Sequence, residues 1–121
     1  MTAPPPGESV AFCLRLRPGC EPEYRRRHDT IWPEMAAALS GAGIVHFEIF
    51  LEPVSMLLFA YQMRCHDHTV NDLPQNAVWQ RWQASMADLL VQHEGKPERI
   101  PLEPMFRLVA QGKHSSPAGN T

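Results

Sequence analysis

Two apolar runs, Ile44 to Leu51 and Met56 to Met63, are separated only by Glu52-Pro-Val-Ser55, and this spacing constrains the fold of the 121-residue chain more than any other feature. Both runs are rich in β-branched or aromatic residues, and a short turn-forming break between two such runs predicts a β-hairpin. A lone hairpin is marginal in water, so other elements must cover it. Upstream, Val10, Phe12, Leu14 and Leu16 alternate with Ala11, Cys13, Arg15 and Arg17, which predicts a third strand with one apolar face, turned at Pro18-Gly19.

Between that strand and the hairpin, Tyr24, His28, Ile31, Trp32, Met35 and Leu39 recur at helical spacing from Pro22 to Ser40, with Gly41 and Gly43 as stop signals. Pro33 falls inside this stretch. Its missing N–H and its ring clash would cost about 3 kcal/mol in a regular helix, so a kink or a restart is expected at Trp32-Pro33. After Cys65-His-Asp-His68 and a segment interrupted by Pro74, Asn76 is placed to cap a second helix carrying Val78, Trp82, Met86 and Leu89 or Leu90. Glu98 to Val109 predicts a last strand, which Pro101 and Pro104 confine to an edge or to pairing that begins late.

The order is β-α-β-β-α-β, the ferredoxin-like pattern of an α+β domain. Two helices cover one face of such a four-stranded sheet, and Phe47, Ile49, Leu57, Phe59 and Tyr61 cannot all lie beneath them. A second copy of the chain is the natural cover for the other face, so a homodimer is expected.

The length suits one domain, placed at residues 9–110, with disordered tails expected at 1–8 and 111–121. A net charge of -2 provides no basic field for nucleic acid, and no apolar run of about 18 residues predicts a membrane span. The N-terminus lacks the positive and apolar regions of a secretory signal, which makes the cytoplasm the expected location. Cys13, Cys20 and Cys65 are odd in number and form no Cys-x-x-Cys pair, so reduced thiols are expected. The cluster Cys65-His-Asp-His68 is one short loop without a distant second ligand group; it reads as a strand-end loop, and no metal is expected. Arg25-Arg26-Arg27 alternates with Glu21 and Glu23 and reads as the solvated face of the first helix.

Chemistry concentrates at Tyr24 and His28, which lie four residues apart and so put a phenol and an imidazole on one helix face. Imidazole exchanges protons near neutral pH. Trp32 and Trp82 read equally well as core residues and as the wall of a pocket for a small polar molecule.

The runs Glu23-Tyr-Arg-Arg-Arg-His28, Ile31-Trp-Pro-Glu34 and Gln80-Arg-Trp82, in this order and spacing, resemble the L-rhamnose mutarotase family over roughly Ala11 to Leu108. The resemblance implies a dimeric α+β barrel that interconverts the α and β anomers of a 6-deoxy-L-hexose, with no metal or organic cofactor. It also implies that Tyr24 contacts the sugar, that His28 is the proton donor, and that Trp82 is the first residue of a Trp-Trp pair lining the pocket. The second residue of that pair is Gln83 here, and the pocket tyrosine expected on the second strand is Phe47. Phe47 has no hydroxyl, and Gln83 brings an amide where the family has an aromatic wall. A site built around hydroxyls discriminates strongly between isomers, so L-rhamnose and L-fucose are both candidate substrates.

Ring opening needs a proton on the ring oxygen and the loss of one from the anomeric hydroxyl. His28 is expected to supply the first. The base is left open between a relay through Tyr24 and a water held by backbone or by Gln83. Two other functions live on the same architecture: a non-catalytic dimeric binding module, and a cofactor-free oxygenase or cyclase with a larger apolar cavity.

Overall fold

The structure, a computed structural model, describes residues 7–110. The tails expected at either end lie outside the described residues, save that Gly7 is described and Glu8 opens the first strand. Strands β1 (Glu8–Arg15), β2 (Ile44–Glu52), β3 (Leu57–Arg64), β4 (Gln92–His93), β5 (Lys96–Pro97) and β6 (Arg99–Pro101) accompany helices α1 (Glu21–Asp29), α2 (Pro33–Gly41) and α3 (Ala77–Met86). An antiparallel sheet in the order β2-β3-β1-β6 carries the helices on one face, which is the expected ferredoxin-like α+β arrangement.

The helical stretch does restart at Pro33. Proline has no N–H to lose in a first turn, so it opens α2, while Trp32 stays extended and its carbonyl accepts from Met35 and Ala36. α1 and α2 are therefore two short helices joined by Thr30 to Trp32, and each can take its own direction over the sheet. Asn76 caps α3 as predicted, its side-chain oxygen accepting from the Trp79 N–H at 2.9 Å. The helix ends at Met86 and runs on through Leu89 as a 3-10 turn.

The β2–β3 hairpin is closed by Glu52, whose carboxylate accepts from the N–H groups of Val54 and Ser55. Its register pairs Phe47 with Gln62, Ile49 with Ala60 and Leu51 with Leu58. A bulge at Val45, itself 64 % exposed, interrupts the ladder between Ile44 and His46. Because side chains alternate across a strand, this one extra residue keeps Ile44 on the helix-facing side and puts Phe47, not His46, there as well. Gly43 precedes the bulge at φ +102°, and a Cβ there would come within 2.7 Å of the His68 Cβ.

The main core gathers Leu16, Tyr24, Met35, Leu58, Trp82, Met86, Leu89 and Leu90, and a smaller one gathers Ala42, Ile44 and Leu73. By register, Phe47 and Ile49 face the helices, whereas Leu57, Phe59 and Tyr61 lie on the far face with Phe50.

The last strand differs from expectation. β6 spans only Arg99–Pro101; the Leu102 N–H still bonds the Ala11 carbonyl at 3.1 Å, and the chain then runs without strand pairing to Ala110. Pro101 and Pro104 have no N–H to continue a ladder. Met105, Phe106, Leu108 and Val109 consequently stand 61 to 87 % exposed. Two local features were not foreseen from the sequence: the 3-10 helix Val70–Gln75, and the β4–β5 hairpin turned by Glu94 and Gly95 at φ 54° and 80°.

Candidate active site

Tyr24 and His28 face inward from α1, with ring centroids 4.3 Å apart. Trp82, from α3, meets the edge of the His28 ring at 5.5 Å, and Trp32, from the break between α1 and α2, meets Trp82 at 5.1 Å. Four of the six residues singled out from the sequence are thus brought into one aromatic cluster. Phe47 lies on the helix-facing side of β2 and keeps 36 % exposure. Gln83 follows Trp82 on α3 and is half-buried.

The protonation pattern of His28 is set by its own helix. Its Nδ1 lies 2.9 Å from the Tyr24 carbonyl oxygen, which can only accept, so Nδ1 carries the proton and Nε2 presents a lone pair. Burial lowers the His28 pKa below its ordinary 6.5; the Tyr24 carbonyl and the Asp29 carboxylate act in the opposite direction and offset this only in part. The ring is therefore neutral at pH 7. Tyr24 is 8 % exposed, and burial pushes its phenol upward, which leaves the hydroxyl a permanent donor. Among the described residues, neither the Tyr24 hydroxyl nor the His28 Nε2 has a hydrogen-bond partner. Buried polar groups are rarely left so, and those that are mark places where something else binds.

α1 is fastened in place by Arg27. Its guanidinium donates to Glu23 at 2.6 Å, to the Ser85 carbonyl at 2.6 Å and to Asp88 at 3.1 Å, tying α1 to the end of α3. Arg26 also donates to Glu23, and the two guanidiniums bring that carboxyl down to about 2. The sequence suggested only a solvated face here, because Asp88 lies 61 residues away and no local pattern connects it to Arg27. An open groove of about 360 Å³ between the two helices is lined by Arg26, Arg27, Thr30, Trp32, Trp82 and Ser85, and so shares both tryptophans with the cluster. A larger hollow of about 480 Å³ beside the β4–β5 hairpin contains none of the cluster residues.

The Cys65–His68 loop is tied to its surroundings through His68, whose Nδ1 accepts from the Val70 N–H at 3.2 Å, so that Nε2 donates to Glu8 on β1 at 2.8 Å. Among the described residues no group of three or more His, Cys, Asp or Glu side chains is placed to hold a metal ion. Nor is any described helix long and apolar enough to cross a membrane.

Comparison with known proteins bears on the same residues. The family model for L-rhamnose mutarotase matches residues 9–108. An L-rhamnose mutarotase of Burkholderia orbicola is 49 % identical over 102 residues, covering 84 % of this chain and 98 % of its own, and one of a Jannaschia species is 42 % identical with the same coverage. A crystal structure of L-rhamnose mutarotase from Formosa agariphila superposes with a TM-score of 0.75 at 33 % identity, over 84 % of this chain and 98 % of that one. A profile match across the whole folded region, together with relatives alike along nearly their full length, gives one assignment: the chain belongs to the L-rhamnose mutarotase family.

Proposed function

We propose that this protein interconverts the α and β anomers of L-rhamnose, with His28 moving the proton. The observation that carries the reading is the free Nε2 lone pair of a neutral, half-buried imidazole set between Tyr24 and Trp82.

The chemistry needs little more. Nε2 takes the proton of the anomeric hydroxyl, the C1–O5 bond breaks with its electron pair going to the ring oxygen, and the imidazolium returns the proton to that oxygen. The open-chain aldehyde turns about C1–C2, and the reverse steps close the ring as either anomer. One residue thus acts as base and then as the expected proton donor, which is within reach because both sugar oxygens are bonded to C1. Tyr24 donates to a sugar oxygen and holds it in register. Trp82 and Trp32 pack against the apolar face and methyl group, while Phe47 and Gln83 line the site and bear on the choice between L-rhamnose and L-fucose. A pure binding module gives the oriented His28 no task, and the family match favours the mutarotase over an oxygenase or cyclase.

The same proposal includes a homodimer in a reducing cytoplasm. Phe50 and Phe59 pair across the far face of the sheet, and Met105, Phe106 and Leu108 on the last segment are more exposed still, apolar surface that a second subunit would cover. The three cysteines are unpaired thiols.

Saturation-difference proton NMR on L-rhamnose and L-fucose near pH 7 tests the activity. Wild-type protein is expected to exchange the anomers faster than the spontaneous rate and His28→Ala to reduce that excess at least 100-fold. No excess with wild type on either sugar would refute the assignment.

A further inference from the structure

Beneath the helices the sheet surface is not uniformly covered. Leu14, Ile49, Leu51 and Leu58 pack into the main core with Tyr24 and Trp82, and Ile44 packs into the smaller one. Val10, Phe12 and Phe47, on the same face by register, belong to neither cluster. Phe12 ends the Ile49–Ala60 row, and Phe47 and Val10 belong to the next row on this face, about 7 Å further along the strands; together they form a strip of sheet. Gln62 sits in the middle of it, paired with Phe47 on one side and Val10 on the other.

Gln62 is only 6 % exposed, and of the four hydrogen bonds its amide can make, one is made among the described residues. Its Oε1 accepts from the Arg64 Nε at 2.9 Å, and Arg64 is itself 9 % exposed. A guanidinium can only donate, so this contact fixes which end of the amide is oxygen and turns the NH2 away from Arg64. Among the described residues that NH2 has no acceptor. A carboxamide buried merely to satisfy Arg64 would strand two donors, which is costly in a folded interior. Its strand neighbours Phe47 and Val10 have no side-chain polar atom to receive them.

We infer that Gln62 is a sugar-binding residue on the sheet side of the site, donating from Nε2 to a substrate hydroxyl, and that Arg64 is the positioning residue that presents the amide. This rests on the mutarotase reading and adds to it a determinant of which 6-deoxyhexose is held. Arg99, stacked over Phe12 at 3.9 Å, bounds the strip at its other edge.

The test is the concentration dependence of anomer exchange. Gln62→Leu is expected to raise KM at least 10-fold for the preferred sugar with kcat within twofold, and to narrow the preference between L-rhamnose and L-fucose. Arg64→Met keeps the amide but frees its orientation, and is expected to raise KM about threefold. If both variants lower the melting temperature while KM stays within twofold of wild type, Gln62 is structural and the inference falls. Because Gln62→Leu leaves the buried Arg64 Nε unpaired and can fail to fold, the wild-type protein carries a second readout. The side-chain 15N–1H pair of Gln62 should shift on titration with sugar, in parallel with the Trp82 indole; a Trp82 response without one from Gln62 overturns the inference. Wild type that accelerates neither sugar, with no shift at Gln62, removes the mutarotase reading and this one together, whereas acceleration with an unresponsive Gln62 removes this one alone.

Discussion

Replacing Tyr24 by Phe should move stability and activity in opposite directions. The substitution removes one oxygen from a residue that is 8 % exposed and whose hydroxyl bonds no described residue. The folded state therefore loses no internal hydrogen bond. It is instead relieved of a buried, incompletely satisfied hydroxyl, for which the full penalty is about 1–3 kcal/mol. Water entering from the groove recovers part of that, so the expected gain is between zero and about 1 kcal/mol, or up to roughly 4–8 °C in melting temperature for a domain of this size. With sugar bound the balance reverses. The hydroxyl's absence leaves a substrate oxygen facing Tyr24 unpaired once the sugar has displaced water, at about 1–3 kcal/mol, which lowers kcat/KM roughly 5- to 150-fold. Thermal melting by circular dichroism and anomer exchange by NMR, on the same preparations, give both quantities. A melting temperature lower by more than about 4 °C with kcat/KM unchanged would show that the hydroxyl serves the fold, and the reasoning would fail.

Two further outcomes follow from the geometry. The His28 pKa is lowered from 6.5, chiefly by burial, so kcat/KM should rise with pH through a midpoint below 6.5 and level off on the alkaline side of it; activity that falls steadily from pH 5.5 to 8 would mean the imidazolium is the resting form. The stability sign is the same, since the unfolded chain binds this proton more readily: the contribution is complete above about 6.5 and is lost as pH drops through the folded value, which urea melts at pH 7 and pH 5 in wild type and His28→Ala can separate. For the dimer, sedimentation should give twice the 13.7 kDa chain mass for wild type and a shift toward one chain for the double variant Phe106→Ser, Leu108→Ser; wild type sedimenting as a single chain would exclude it.

Local chemistry made much of this fold readable in the residues. Pro33 fixed the helix restart because only the first turn tolerates a missing N–H, Asn76 marked the start of α3, and the Glu52–Ser55 break marked the hairpin. The spacing of Tyr24 and His28 on one helix placed them together, and their contact with Trp82 followed from matched apolar faces. What stayed hidden depended on residues far apart in the chain. Arg27 reaches Ser85 and Asp88 across a helix pair, and β6 stops at Pro101 because the following residues find no ladder. Gln62 had a faint signal: it and Arg64 occupy the parity of Leu58 and Ala60 on β3, positions that alternation reserves for apolar side chains.

The bulge at Val45 sets the meaning of every position that follows it on β2. Upstream the parity serves the small core; downstream one set of residues looks toward the helices and the other toward the far face of the sheet. Deleting Val45 would leave a regular strand with both sets in place, whereas a strand that kept Val45 and paired it regularly after Ile44 would exchange them, turning His46, Glu48 and Phe50 inward and Phe47, Ile49 and Leu51 outward. The two faces of the sheet thus share a single phase along β2. A substitution can alter either face alone, whereas losing the bulge while keeping its extra residue would alter both at once.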